Sequence, residues 1–304
     1  MRVTNSMVTR GLTARLLENQ RLLAEAQERV ATGKKVRKMS DDPTAGSAIM
    51  QASGQLRALE QYRRNVQSVG ARIDAEETAL DQVTQLMIRA KELGVGQIGA
   101  TANADSRRAA AVEVRQLLAQ AVQLGNQRFG EEYLFGGTNA QDRLPFDGAQ
   151  TATAPRFAPL VAGVATPPTG TRQIEVGAGQ YLTGPHDGSA VFLDTGVFDV
   201  LQDLGDALAA DDPARIGAAM RDLEGSFAGV QALVGEAGAR QNQVELLETQ
   251  LDAVEQNLES FRSDLAEVDM ERAITEMVAR QTAYQAAMLA SSRVMGLSLT
   301  EYLR

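Results

Sequence analysis

The sequence predicts a mainly α fold: an elongated multi-helix bundle or coiled-coil rod built from both chain ends, carrying a small β-rich inserted domain. Three observations predict it. Residues 239–295 are fifty-seven positions without a glycine or proline, and Val244, Leu247, Leu251, Val254, Leu258, Phe261, Leu265 and Val268 recur there at steps of three and four. That is the period of a helix that buries one seam. Near the other end Leu12, Leu16, Asn19, Leu23, Ala26 and Val30 keep the same step. Between the two, residues 130–196 hold eleven of the 27 glycines and residues 145–185 hold six of the eight prolines, a density that excludes long helices.

Composition narrows the function. Aromatic residues are 4% of the chain and cysteine is absent, which fits long helices and excludes thiol chemistry and disulfide frameworks. A net charge of -9 leaves no domain-wide basic excess to neutralise phosphates, so nucleic acid is not an expected partner. No apolar run approaches the length of a membrane span, so membrane insertion is not expected either. The opening MRVTNSMVTRGL lacks the apolar centre of a secretory signal. The chain is therefore expected to stay in the cytosol or to leave by a route without a cleaved signal.

The first helix ends at Gly33. Over residues 1–40 nine basic residues face three acidic ones, while over residues 240–304 six arginines face eleven acidic residues. Pairing of the first and last helices would bury both seams and set opposite charges across the flanks. The loop TGKKVRKMSDDPTAG ends in a helix start, with Asp42 as cap, Pro43 in the first turn and Asp41 near the positive end of the dipole. A second helix runs from Ala45 to about Leu93 on Ile49, Ala52, Leu56, Leu59, Val66, Ile73, Leu80 and Met87, with Arg63 and Glu77 interrupting its step. GVGQIGATANADS breaks it, and a third helix, about Ala104–Phe129, carries Ala110, Val114, Leu117, Ala121 and Leu124 on one face.

In the middle, EYLF, RQIEV and SAVFL read as short strands between turns. Gly136 and Gly137 lack the Gly-Lys-Ser/Thr context of a phosphate loop and read as a turn. His186, in GPHDG, is the one imidazole of the chain and reads as a solvated turn residue. Helices resume over Phe198–Ala210 and Pro213–Val234, and GEAGARQNQVE leads into the final helix, which would span roughly 85 Å if unbroken.

The expected domains are residues 1–40 with 262–304 as paired terminal helices, 41–135 with 197–261 as a helical rod, and 136–196 as the β-rich insert. Beyond Val268 the seam slips, continuing through Ile274, Met277, Gln281, Tyr284, Met288, Ser291 and Met295. Small and polar residues on that seam gain little per contact, so this helix is expected to be marginal alone and to order against neighbours. The expected assembly seam is Leu12, Leu16, Leu23, Val30, Leu258, Phe261, Leu265, Val268, Ile274, Met277, Tyr284 and Met288. One histidine, no cysteine and carboxylates spread along helix faces give no expected catalytic, cofactor or metal site.

Several stretches taken in order, MRVTN, ATGKKVRKMSDDPTAG, RAKELGVGQIGATANADSRRAAAVEVRQLL, EEYLFGGT, GARQNQVE and SSRVMGLSLTEYLR, resemble the bacterial flagellin superfamily over about three quarters of the chain. DDPTAG in place of a DDAAG-like sequence, the ending LSLTEYLR and the opening MRVTNSM look like the branch that sits at the hook-filament junction. The filament subunit, flagellin, shares the whole plan and is the alternative; a cytosolic coiled-coil scaffold is a more distant one. The resemblance implies an adaptor that self-associates in a ring between the preceding hook-associated protein and flagellin. It also implies an extracellular place in the flagellum, reached through the flagellar secretion channel, and a cytoplasmic export chaperone bound at the C-terminal region.

Overall fold

The computed structural model describes residues 5–99, 102–139 and 143–302. The described residues form six α-helices, α1 Asn5–Thr32, α2 Pro43–Ile98, α3 Ala104–Gly125, α4 Val197–Ala209, α5 Pro213–Ala266 and α6 Met270–Tyr302, with three small hairpins between α3 and α4. The strands pair antiparallel as β1 Arg128–Phe129 with β2 Glu132–Tyr133, β3 Leu160–Val161 with β4 Val164–Ala165, and β5 Gln173–Gly177 with β6 Gln180–Thr183. Contacts divide the chain into two compact units, Met1–Ala58 with Ala253–Arg304, and Leu59–Asp252.

In the first unit α1 packs against α6. Gly33, at φ 67°, ends α1, a backbone angle that costs glycine no steric strain. Asp42 then caps α2, its Oδ1 accepting from the N–H groups of Thr44 at 3.0 Å and Ala45 at 2.9 Å. Asp41 directly precedes that cap and turns its side chain to the loop. Its carboxylate accepts from the N–H groups of Arg37 at 3.1 Å and Lys38 at 3.0 Å, and those bonds hold its pKa below the usual value.

The fifty-seven-residue stretch is not one helix. It breaks after Ala266, and Asp269 caps α6 by accepting from the N–H of Glu271 at 3.0 Å and of Arg272 at 3.3 Å. The loop after α1 satisfies the freed backbone: Ala266 O accepts from Lys35 N at 2.7 Å, and Val268 N donates to Gly33 O at 2.9 Å. Lys34 and Glu267 thereby pair as an isolated antiparallel bridge, so the break leaves these groups with partners.

The second unit has one large core. Ala79, Leu80, Val83, Met87 and Ala90 of α2 meet Ala110, Ala111, Val114 and Ala121 of α3, Leu201, Leu204 and Leu208 of α4, and Ile216, Leu223 and Val230 of α5. The glycine- and proline-rich stretch adds Phe135, Phe146, Phe157, Val191 and Phe192 to this same core. Residues 136–196 are therefore packed with the helices rather than set apart from them, because the aromatic side chains of that stretch find their apolar surroundings only there. Phe192 and Phe198 stack with centroids 4.9 Å apart, and Phe146 meets Phe198 edge-on at 5.0 Å.

The boundaries depart from the periodicity at several glycines. α2 runs through Gly94 to Ile98, since a Cβ at Gly94 would collide with the Met220 side chain. α3 stops at Gly125, against which the Phe146 ring lies so closely that a Cβ would sit 2.6 Å from it. α5 continues through Gly225, Gly229, Gly235 and Gly238 without interruption. SAVFL is a π-helical turn, Ser189–Leu193; it buries the adjacent Val191 and Phe192 together, which a strand would send to opposite faces. Arg107, at the start of α3, is almost fully buried and is held by Asp211 Oδ1 at 2.5 Å and the Gln97 carbonyl at 3.2 Å.

Phe192 contacts Phe135, Phe146 and Phe198 at once. Phe192→Ala is expected to cost about 3–5 kcal/mol through lost burial and the residual cavity. Tyr181→Ala, at a position exposed to solvent, should stay within about 0.5 kcal/mol of the parent; chemical denaturation of both variants measures the difference.

Candidate functional site

The terminal helices carry the residues that the spacing marks for assembly. On α1 the step of Leu12, Leu16, Asn19, Leu23, Ala26 and Val30 is buried or half-buried along its whole length. Opposite it, α6 covers Ala273, Met277, Arg280, Tyr284, Ala287 and Ser291, again at steps of four and three. The pair is antiparallel: Arg29, near the end of α1, reaches Glu276, near the start of α6, at 3.5 Å. Glu276 also meets Arg280 at 3.5 Å. These ion pairs lie in solvent, where such a pair contributes about 0–1 kcal/mol, so they favour register more than stability.

The expected seam residues divide into two sets. Leu12, Leu16, Leu23, Val30, Leu258, Leu265, Val268, Met277 and Tyr284 are half-buried. Phe261 at 50%, Ile274 at 44% and Met288 at 50% are exposed. The side chain of Met295 lies outside the described residues. On α6 the shared positions are Met277, Tyr284 and Ser291, while the alternate positions fall one residue earlier than the spacing of large apolar residues indicates. The physical reason is size: Ala273 and Ala287 let two helix backbones approach, whereas Ile274 and Met288 in their place would hold the helices apart.

That rotation leaves an apolar surface outward. Ile274, Val278, Met288 and Leu289 of α6 are exposed, as are Met7 and Leu17 of α1, Met50 of α2, and Val254 and Phe261 of α5. Single exposed apolar residues are ordinary on a protein surface, and it is a contiguous patch of them that marks a surface for association. On the polar side of α1, Arg21 bridges Glu18 at 2.6 Å and Glu25 at 2.5 Å. The bond to Arg21 lowers the pKa of Glu18.

Among the described residues no group of three histidines, cysteines or acids is placed to hold a metal ion, and no helix is long and apolar enough to cross a membrane.

One cluster in the second unit escaped the reading of the sequence. His186 is 6% exposed, not solvated, and its ring lies between Glu76 at 2.6 Å and Glu236 at 3.0 Å. Spacing carried a signal for it. Val66, Val69, Ile73, Glu76, Leu80, Val83 and Met87 keep steps of three and four, so Glu76 occupies a buried seam position and requires a partner.

Comparison with known proteins agrees with this arrangement. The profile of the bacterial flagellin N-terminal helical region matches residues 3–140, and that of the bacterial flagellin C-terminal helical region matches residues 220–303. The chain is 27% identical over 287 residues to flagellar hook-associated protein 3 of Escherichia coli K12, covering 90% of each. It is also 27% identical over 320 residues to flagellin of Bacillus subtilis, covering 100% of each. The crystal structure of Bacillus cereus FlgL aligns with a TM-score of 0.58 at 20% identity, over 70% of this chain and 99% of that one. With both terminal helical regions matched and the pairing of α1 with α6 in place, the chain belongs to the bacterial flagellin superfamily.

Proposed function

We propose that the chain is a structural component of the bacterial flagellum, the adaptor at the hook-filament junction that filament assembly and swimming motility require. It corresponds in this reading to hook-associated protein 3, to which it is similar over 90% of its length. The observation that carries the proposal is the terminal unit: α6 meets α1 through Ala273, Ala287 and Ser291 as well as Met277 and Tyr284, and Phe261, Ile274 and Met288 are left exposed. A chain built this way meets neighbours of similar helical chemistry, in a ring of its own copies between the preceding hook-associated protein and flagellin. The twelve seam residues named above are the proposed assembly set. Nine face inward within the chain, and Phe261, Ile274 and Met288 face neighbouring subunits. Extracellular placement, export through the flagellar channel and a chaperone at the C-terminal region belong to the same proposal; the family resemblance supports them.

The full-length similarity to a flagellin favours a second reading, the filament subunit. Against it stand DDPTAG and LSLTEYLR, which are similar to the junction branch. Deletion of the gene separates the two. A junction adaptor leaves hooks without filaments while flagellin accumulates in the medium. A filament subunit leaves bare hooks and no flagellin in the medium, and normal filaments contradict both.

Ile274→Asp tests the surface itself. At an exposed position the substitution should leave the melting of the isolated chain within about 0.5 kcal/mol of the parent. In the assembly it would bury an unpaired carboxylate, at a cost on the order of several kcal/mol, and swimming should be lost. Swimming at the parental rate would show that Ile274 stays in solvent.

A further inference from the structure

His186 sits at the point where the glycine-rich segment is tied to the helices. Its backbone N–H donates to Glu76 Oε1 at 3.0 Å, and its ring Nδ1 lies 2.6 Å from the same oxygen. Nε2 lies 3.0 Å from Glu236 Oε2. Arg240, one turn along α5 from Glu236, donates from Nη1 to the Gly184 carbonyl at 2.9 Å. The neighbouring residues anchor the other sides: Gly184 N donates to Arg172 O, Gly188 N to Phe135 O, and Ser189 N to Pro168 O. Asp187 accepts from Gly170 N at 2.8 Å and Ala190 N at 2.9 Å. The β5–β6 hairpin runs directly into this segment, with Val176 and Leu182 buried on Val66, Val69 and Ile73 of α2 and Val244 of α5.

We propose that His186, charged and held between Glu76 and Glu236, is a pH-operated clasp that fastens the segment Gly184–Ser189 and its hairpin to α2 and α5 and loosens as pH rises. A neutral imidazole has one N–H and one lone pair, so it can donate to one carboxylate and must oppose the other; the imidazolium donates to both. Glu76 has no exposed surface, and among the described residues its Oε2 has no hydrogen-bond partner. The cation is thus the charge that balances a buried carboxylate, and removing it leaves that carboxylate uncompensated.

The charged and titratable groups around the ring come from every neighbouring element. α2 supplies Glu76 and Arg72, α5 supplies Glu236 and Arg240, β2 supplies Glu132 and Tyr133, Arg172 precedes β5, and Asp187 follows in the loop. Arg72 and Arg172 are both engaged by Glu132, and Asp187 by backbone N–H groups. The two glutamates are therefore the partners that decide the ring's charge. Burial draws the His186 pKa down, the hydrogen bond and charge of Glu76 and the bond to Glu236 draw it up, Arg240 opposes them, and the net direction is upward from 6.5. A raised folded pKa means that the clasp's contribution is complete below 6.5 and disappears as pH climbs through the folded value.

Because His186 is the one histidine of the chain, its ring carbon-bound protons titrate as a single assignable set by NMR. The full-length protein is expected to show a midpoint above 6.5, and cleavage by trypsin after Arg172, normalised to a peptide substrate, should increase as pH passes that midpoint. Glu236→Gln, at an exposed carboxylate, should move both the midpoint and the onset of cleavage to lower pH. A midpoint at or below 6.5, a midpoint unmoved in Glu236→Gln, or cleavage that does not follow the midpoint overturns the clasp. The melting difference between parent and His186→Gln, expected to shrink as pH rises, adds a second readout; a difference independent of pH also overturns it.

Discussion

A helix with one apolar stripe holds its shape in water when something covers that stripe, and in this chain the N-terminal helix is covered by the C-terminal one. The break after Ala266 belongs to the same arrangement. It ends α5 where the loop after α1 can pair with the backbone, so that Lys35 N, Ala266 O, Gly33 O and Val268 N are satisfied together. Asp269 then starts α6 in the direction that lays it antiparallel along α1. Each end of the chain depends on the other, although they are separated by more than two hundred residues of sequence.

How α6 covers α1 decides what is left over. Small residues at Ala273, Ala287 and Ser291 allow close approach but contribute little apolar area, whereas a buried Leu or Ile contributes about 1.5–3 kcal/mol. The larger residues Ile274, Val278, Met288 and Leu289 are turned outward. In the proposed function these outward groups are the ones that neighbouring subunits would cover. Within the second unit large aromatic and branched residues such as Phe135, Phe146, Phe192 and Leu201 are fully buried, while Val95, Val112, Val164 and Leu246 are exposed on its surface.

The helices were legible in the sequence because one period runs through them, and the step from Leu12 to Val30 marks the covered face of α1. The slip at Val268 marks the place where the long helix breaks, but not which face of α6 turns inward, because size complementarity with α1 decides that and periodicity of large residues does not report it. Glycine was the second blind spot. Gly94, Gly235 and Gly238 look like breaks in a string of residues, yet in the fold they sit inside continuous helices, and Gly94 makes room for Met220. The packing of Phe146 and Phe157 with α4, and the enclosure of His186 by Glu76 and Glu236, arise from contacts across large sequence separations. Nothing local distinguishes such a histidine from a turn residue; a glutamate on a buried seam was the available sign.

The central claim is that this chain forms the joint between hook and filament, and position within the organelle tests it most directly. Antibody against the β5–β6 hairpin, read by gold labelling on isolated hook-filament particles, should mark one narrow zone at the distal end of the hook. Labelling distributed along the filament would contradict the account and make the chain a filament subunit.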